Sequence, residues 1–135
     1  MLLLLLFGIL TGNAQTIPNY TGVWLNKNIN KGNFVVKMEI KQENRKAQIR
    51  MIYSEYENGS QSMRFKITGS GTINNDGVLR CTVARNSRIQ PLANINMVFL
   101  KNNTTDIKWV IPNNGSFLPG VIFMELQGQE SFDFE

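Results

Sequence analysis

The chain has no histidine among its 135 residues. That excludes imidazole acid–base catalysis, the Ser/His/Asp and Cys/His nucleophile pairs, and most zinc, copper and haem sites. It has a single cysteine, Cys81, so no disulfide forms within the chain. In Leu79-Arg80-Cys81-Thr82-Val83 the cysteine holds the phase of a small buried apolar side chain. A reactive thiol needs exposure and a nearby cation, and Arg80 alternates onto the opposite face. No helical apolar period persists for about ten residues. There is no internal repeat and no low-complexity segment after the leading leucines.

Leu2 to Leu10 are apolar apart from Gly8. A helix that spans a bilayer needs about 20 apolar residues, so this run is too short. It matches the apolar core of a secretory signal peptide, and Gly12 and Ala14 stand at the small-x-small spacing of a cleavage site. No Lys or Arg precedes the leucines, which departs from the usual pattern. The expected division is a signal peptide over 1–14, one barrel domain over 15–128 and an acidic tail over 129–135. The mature chain is expected to be secreted or periplasmic, with no transmembrane segment. About 120 residues suffice for one real core.

What the chain does have is alternation. Phe34, Val36, Met38 and Ile40 interleave with Val35, Lys37, Glu39 and Lys41. Ile49, Met51 and Tyr53 repeat the pattern, as do Met63, Phe65 and Ile67. A period of two means strands with one buried face. Turn signals separate them, the strongest being Asn58-Gly59, then Asp76-Gly77. Strands are expected near 21–26, 34–42, 47–56, 61–68, 78–84, 94–100, 105–111 and 121–127, with a bend or bulge at Gly69-Ser70-Gly71 and a short continuation of the fourth strand at Thr72-Ile73. The expected fold is all-β: a single antiparallel up-and-down β-barrel of about eight strands.

The formal charge is +4. The segment 125–135 holds Glu125, Glu130, Asp133 and Glu135 and no base, leaving fourteen bases against six acids elsewhere. Lys37, Lys41, Arg50, Arg64, Lys66 and Arg80 fall on outward strand positions. Such a surface attracts polyanions or simply keeps a protein in solution. Export argues against a nucleic-acid partner.

Gly22-Val23-Trp24 opens the first strand. A glycine there permits close approach, and the indole can plug one barrel end. This start resembles the calycins, which comprise lipocalins, fatty-acid-binding proteins and avidins. Asn26 also resembles the asparagine that follows the first tryptophan in avidins, Trp109 a late-strand tryptophan, and Gly120 to Leu126 the closing strand. The resemblance implies an interior site. The residues expected to line it are Trp24, Asn26, Met38, Tyr53, Phe65, Met97, Trp109 and Phe123. Methionines suit an apolar cavity and equally a filled core, and both readings stand here. Avidin sites carry more tryptophans than Trp24 and Trp109, and the Thr-Asp-Tyr motif of lipocalins is missing.

Two functions follow. One is a non-enzymatic barrel that binds a small, largely apolar or aromatic ligand, with no cofactor. The other is a solid barrel acting through loops at 28–33, 85–91 and 113–119 on a protein partner, with Phe117 and Leu118 as an exposed anchor. A homo-oligomer fits either. Glu39, Asp106 and Glu125 form no carboxylate pair that the spacing can justify, so no enzyme is expected. Sequons at Asn19, Asn58, Asn102, Asn103 and Asn114 lie in or near turns. Amino-terminal sequencing of the exported protein is expected to begin at Gln15; a chain that keeps Met1 to Ala14 would defeat the signal-peptide reading.

Overall fold

The structure is a computed structural model that describes residues 16–27, 33–85 and 90–129. The leader, parts of the 28–33 and 85–91 loops, and residues 130–135 of the acidic tail lie outside that description. Eight strands form the described fold: β1 Gly22–Asn26, β2 Phe34–Glu43, β3 Lys46–Glu57, β4 Ser60–Ile73, β5 Leu79–Arg85, β6 Ala93–Phe99, β7 Asp106–Val110 and β8 Val121–Gly128. Each pairs antiparallel with its chain neighbour, and β8 returns to β1, so the sheet is a closed up-and-down barrel. No helix among the described residues is long and apolar enough to cross a membrane.

The turn chemistry follows the sequence. Asn58 and Gly59 both take positive φ, 52° and 81°, between paired Glu57 and Ser60. That is the hairpin geometry an Asn-Gly pair favours. Asn44, Asn102 and Asn113 also adopt positive φ in the other connections. The strand bounds differ from the expected ones by at most one residue at each end, except in β4. There Gly69-Ser70-Gly71 stays in register with both β3 and β5. The glycines serve close approach instead: a Cβ at Gly69 would strike the Thr82 carbonyl, and one at Gly71 the Arg80 carbonyl. The register shift along β3–β4 falls at Glu55/Tyr56.

The alternation sorts the side chains. Val36, Met38, Ile40, Ile49, Met51, Ile67, Leu79, Val83, Ile95, Met97, Ile107 and Met124 are buried inside. Lys37, Lys41, Lys46, Gln48, Arg80 and Thr82 are exposed outside. Cys81 is buried, as its phase requires, and burial pushes its thiol up to about 12. A barrel that is apolar inside and charged outside is the inverse of one that faces lipid.

Tyr20 and Trp24 close one end. The Trp24 indole donates to the Tyr20 carbonyl at 2.9 Å. The Tyr20 ring stacks on Phe99 at 4.6 Å, and its hydroxyl lies 2.6 Å from the Gly77 carbonyl and 3.1 Å from that of Met97. Burial pushes that hydroxyl up to about 12. Gln42 holds the same corner: its amide oxygen accepts from Tyr20 N–H and its amide nitrogen donates to the Pro18 carbonyl, both at 2.8 Å.

On the outside, Lys27 reaches from the end of β1 to Asp106 at the start of β7, 3.0 Å away. Asn103 donates to the other carboxylate oxygen at 2.8 Å. The Lys27 ammonium and the Asn103 amide hold the Asp106 carboxyl below its ordinary value. A depressed carboxylate contributes stability above its unfolded pKa of about 3.9, and that contribution disappears as pH falls through the folded value. Lys27→Met is therefore expected to lower the urea midpoint at neutral pH, with the gap to wild type narrowing below about pH 4. An unchanged gap would show that Asp106 is not held by Lys27.

Candidate functional site

Seven of the eight expected lining residues point inward. Trp24, Met38, Met97 and Trp109 are 0–1% exposed, and Met51 and Met124 beside them are 0%. Side chains so fully covered have no room for a water-sized probe against them, so the middle of the barrel is filled around them. The Trp109 indole donates to the Pro119 carbonyl at 3.1 Å, so both tryptophan N–H groups are satisfied within the chain.

Phe123 is a correction. It is 43% exposed, on the outer wall, opposite Lys108. β8 is apolar in both phases, and the side chains that face in are Ile122 and Met124. Glu125, exposed and two residues from Phe123, fixes the phase, since residues two apart share a face.

Asn26 is buried, and its partners explain it. Its side-chain oxygen accepts from Val36 N–H at 2.8 Å, and its amide donates to the Phe34 carbonyl at 3.3 Å. Main-chain pairing of β1 with β2 stops at Leu25–Lys37. The Asn26 side chain extends it by another rung.

The second end of the barrel gathers aromatics. Phe34 stacks on Tyr53 at 6.2 Å, and Phe117 packs on Tyr53 at 5.4 Å and on Phe65 at 4.7 Å. The Arg85 guanidinium lies over Phe65 at 4.3 Å, in cation–π range. Burial, with the Glu55 carboxylate nearby, pushes the Tyr53 hydroxyl up to about 12.

Phe117 and Leu118 are a second correction. They do not form an exposed anchor: Leu118 is buried in the core cluster and Phe117 is half-buried against it. The loop is built to hold them there. Asn114 donates to the Leu118 carbonyl at 2.7 Å and accepts from Ser116 N–H and hydroxyl at 2.9 and 2.6 Å. Tyr20 and Phe117 are thus plugs at opposite ends, each from a segment that lacks strand periodicity.

Comparison with protein-family models finds no match, and comparison with curated proteins finds none either. The chemistry therefore rests on the barrel's own surfaces.

The outer wall divides in two. Over β6–β8, Val98, Val121 and Phe123 are exposed and Val110 half-exposed, around Lys108. Over β2–β5 the outward side chains are mainly basic and polar. Glu39 is nearly covered there by its ion pair with Arg50.

Removing the Asn26 side chain leaves the buried Val36 N–H without its acceptor, at a cost of about 1–3 kcal/mol. Asn26→Ala is expected to lose that much in urea unfolding. A loss under about 0.5 kcal/mol would mean that water replaces the side chain.

Proposed function

We propose that this protein is a non-enzymatic interaction module: a solid, calycin-like barrel that serves as a scaffold and meets its partner with its outer surface. The observation that supports this is the complete burial of Met38, Met51, Met97, Trp109 and Met124 in the barrel's middle. A barrel that carries a ligand leaves some lining exposed to a cavity of about 300 Å³ or more. Eight strands enclose a bore that side chains alone can fill, and here both mouths also hold an aromatic plug. The rival reading, an apolar or aromatic ligand in the interior, would have to displace Phe117 from its contacts with Tyr53 and Phe65.

A protein partner is the occupant that the β6–β8 wall suits. Val121 is 53% exposed, Phe123 stands two residues along the same strand, and Val98 on β6 lies in the row of Phe123 across Lys108. Adjacent exposed apolar side chains favour contact surfaces. Secretion, with a leader that ends at Ala14, completes the reading.

The test uses Trp24 and Trp109, which sit inside the barrel, as reporters. Titration with an apolar fluorophore and a panel of fatty acids and aromatic acids is expected to give no saturable quenching in the mature protein. Stoichiometric quenching by any of them would overturn the solid-barrel reading and restore the interior site.

A further inference from the structure

The wall formed by β2–β5 carries a feature that an apolar protein contact does not explain. Register places Lys41, Gln48, Ser70 and Thr82 in one row across the strands. The next row holds Glu43, Lys46, Thr72 and Arg80. Lys41, Lys46 and Arg80 are exposed, and no ion pair is described for any of them. Lys46 and Arg80 stand two strands apart, about 10 Å by strand spacing. Between them lies the Thr72 hydroxyl, with Ser70 and Gln48 in the next row and Glu43 flanking Lys46 on β2.

The surface there is concave. An open groove of about 820 Å³ runs past Lys41, Asn44, Lys46 and Gln48. A second, of about 430 Å³, shares Lys41 and Gln48 and continues over Thr68 and Ser70 to Arg50. Glu43 lines the first and Glu39 the second. Glu39 is neutralised by Arg50, and the cations of the two grooves outnumber the acids.

We infer that this wall binds an acidic polysaccharide, with Lys41, Lys46 and Arg80 meeting its carboxylates or sulfates and Gln48, Ser70 and Thr72 meeting its hydroxyls. Three observations select this occupant. The cations attract a polyanion. The floor between them offers short neutral donors and acceptors, which suit a hydroxyl-rich chain. Neither groove has an aromatic lining residue, so single-stranded nucleic acid would find no stacking platform. A lipid surface is also a poor fit, because among the described residues the exposed large apolar side chains are Tyr56, Met63, Val98, Val121 and Phe123, all outside these grooves. The inference goes beyond the scaffold reading and does not depend on a protein partner at the β6–β8 wall.

The experiment is calorimetric titration of the mature protein with a heparin-derived hexasaccharide at near-physiological salt. Two double variants remove equal charge: Lys41→Gln with Lys46→Gln, and Lys101→Gln with Lys108→Gln on the other side. All four positions lie on the outer surface, and circular dichroism checks that both variants fold. Loss of two exposed charge contacts corresponds to a drop of roughly ten-fold in affinity. The first variant is expected to show that loss and the second to stay within about two-fold of wild type. A neutral glucose hexamer is expected not to bind. The inference is overturned if wild type does not bind the hexasaccharide, if both variants weaken equally, or if single-stranded DNA of matched charge binds as tightly. None of these outcomes touches the interior titration, so the scaffold reading stands or falls separately.

Discussion

Closure of β8 onto β1 is the constraint on which the other features depend. β1 has only five residues, yet it hydrogen-bonds to β2 on one edge and β8 on the other. A Cβ at Gly22 would run into Leu126 of β8, so glycine is what lets the strand slip between its neighbours. Its φ of +147° is a second reason that other residues fit poorly there. Once the seam closes, the sheet has no terminal strand left to pair with another chain. Asn26 and Lys27 then tie the far end of β1 to β2 and β7 with side chains, where main-chain pairing with β2 has run out.

Closure also fixes the volume inside. For eight strands the bore accepts side chains with little to spare, and this sequence fills it with Met38, Met51, Met97, Met124 and two indoles. Methionine is flexible enough to occupy irregular gaps, so a row of inward methionines signals adaptability without saying whether a ligand or a neighbour takes advantage of it. Here the neighbours do. The plugs come from outside the strands: Tyr20 just before β1, and Phe117 within the β7–β8 connection. Each is anchored by hydrogen bonds to main-chain carbonyls or from loop side chains, which makes the plugs part of the framework.

The strands were legible because period two repeats in nearly every segment and Asn-Gly or Asp-Gly punctuates it. Phase was legible wherever one face was charged, as in Phe34 to Ile40. It failed at Phe123 because Val121-Ile122-Phe123-Met124 is apolar in both phases; only Glu125 carries the distinction. The positions of Tyr20 and Phe117 were not legible, since a loop aromatic has no periodic partner to say which way it turns. Asn26 was correctly placed inside but for another reason: its polar atoms serve the backbone of β2. The glycines of β4 read as a bend because glycine weakens strands in general. What they supply is room for β5, a long-range contact that no local pattern encodes.

That room links the inside of the barrel to its outer face. Gly69 and Gly71 occupy inward positions, and the carbonyls of Thr82 and Arg80 fill the space where their side chains would be. β5 can therefore lie against β4 with its main chain pressed toward the core. Its outward side chains, Arg80 and Thr82, then stand level with Thr72 and Ser70, and through them with Lys46 and Gln48 of β3. Any larger residue at either glycine would push β5 away and separate Arg80 from the lysines. The cation spacing on the β2–β5 wall is thus set by two glycines that make room for β5. In this barrel the inward positions decide which surface groups become neighbours.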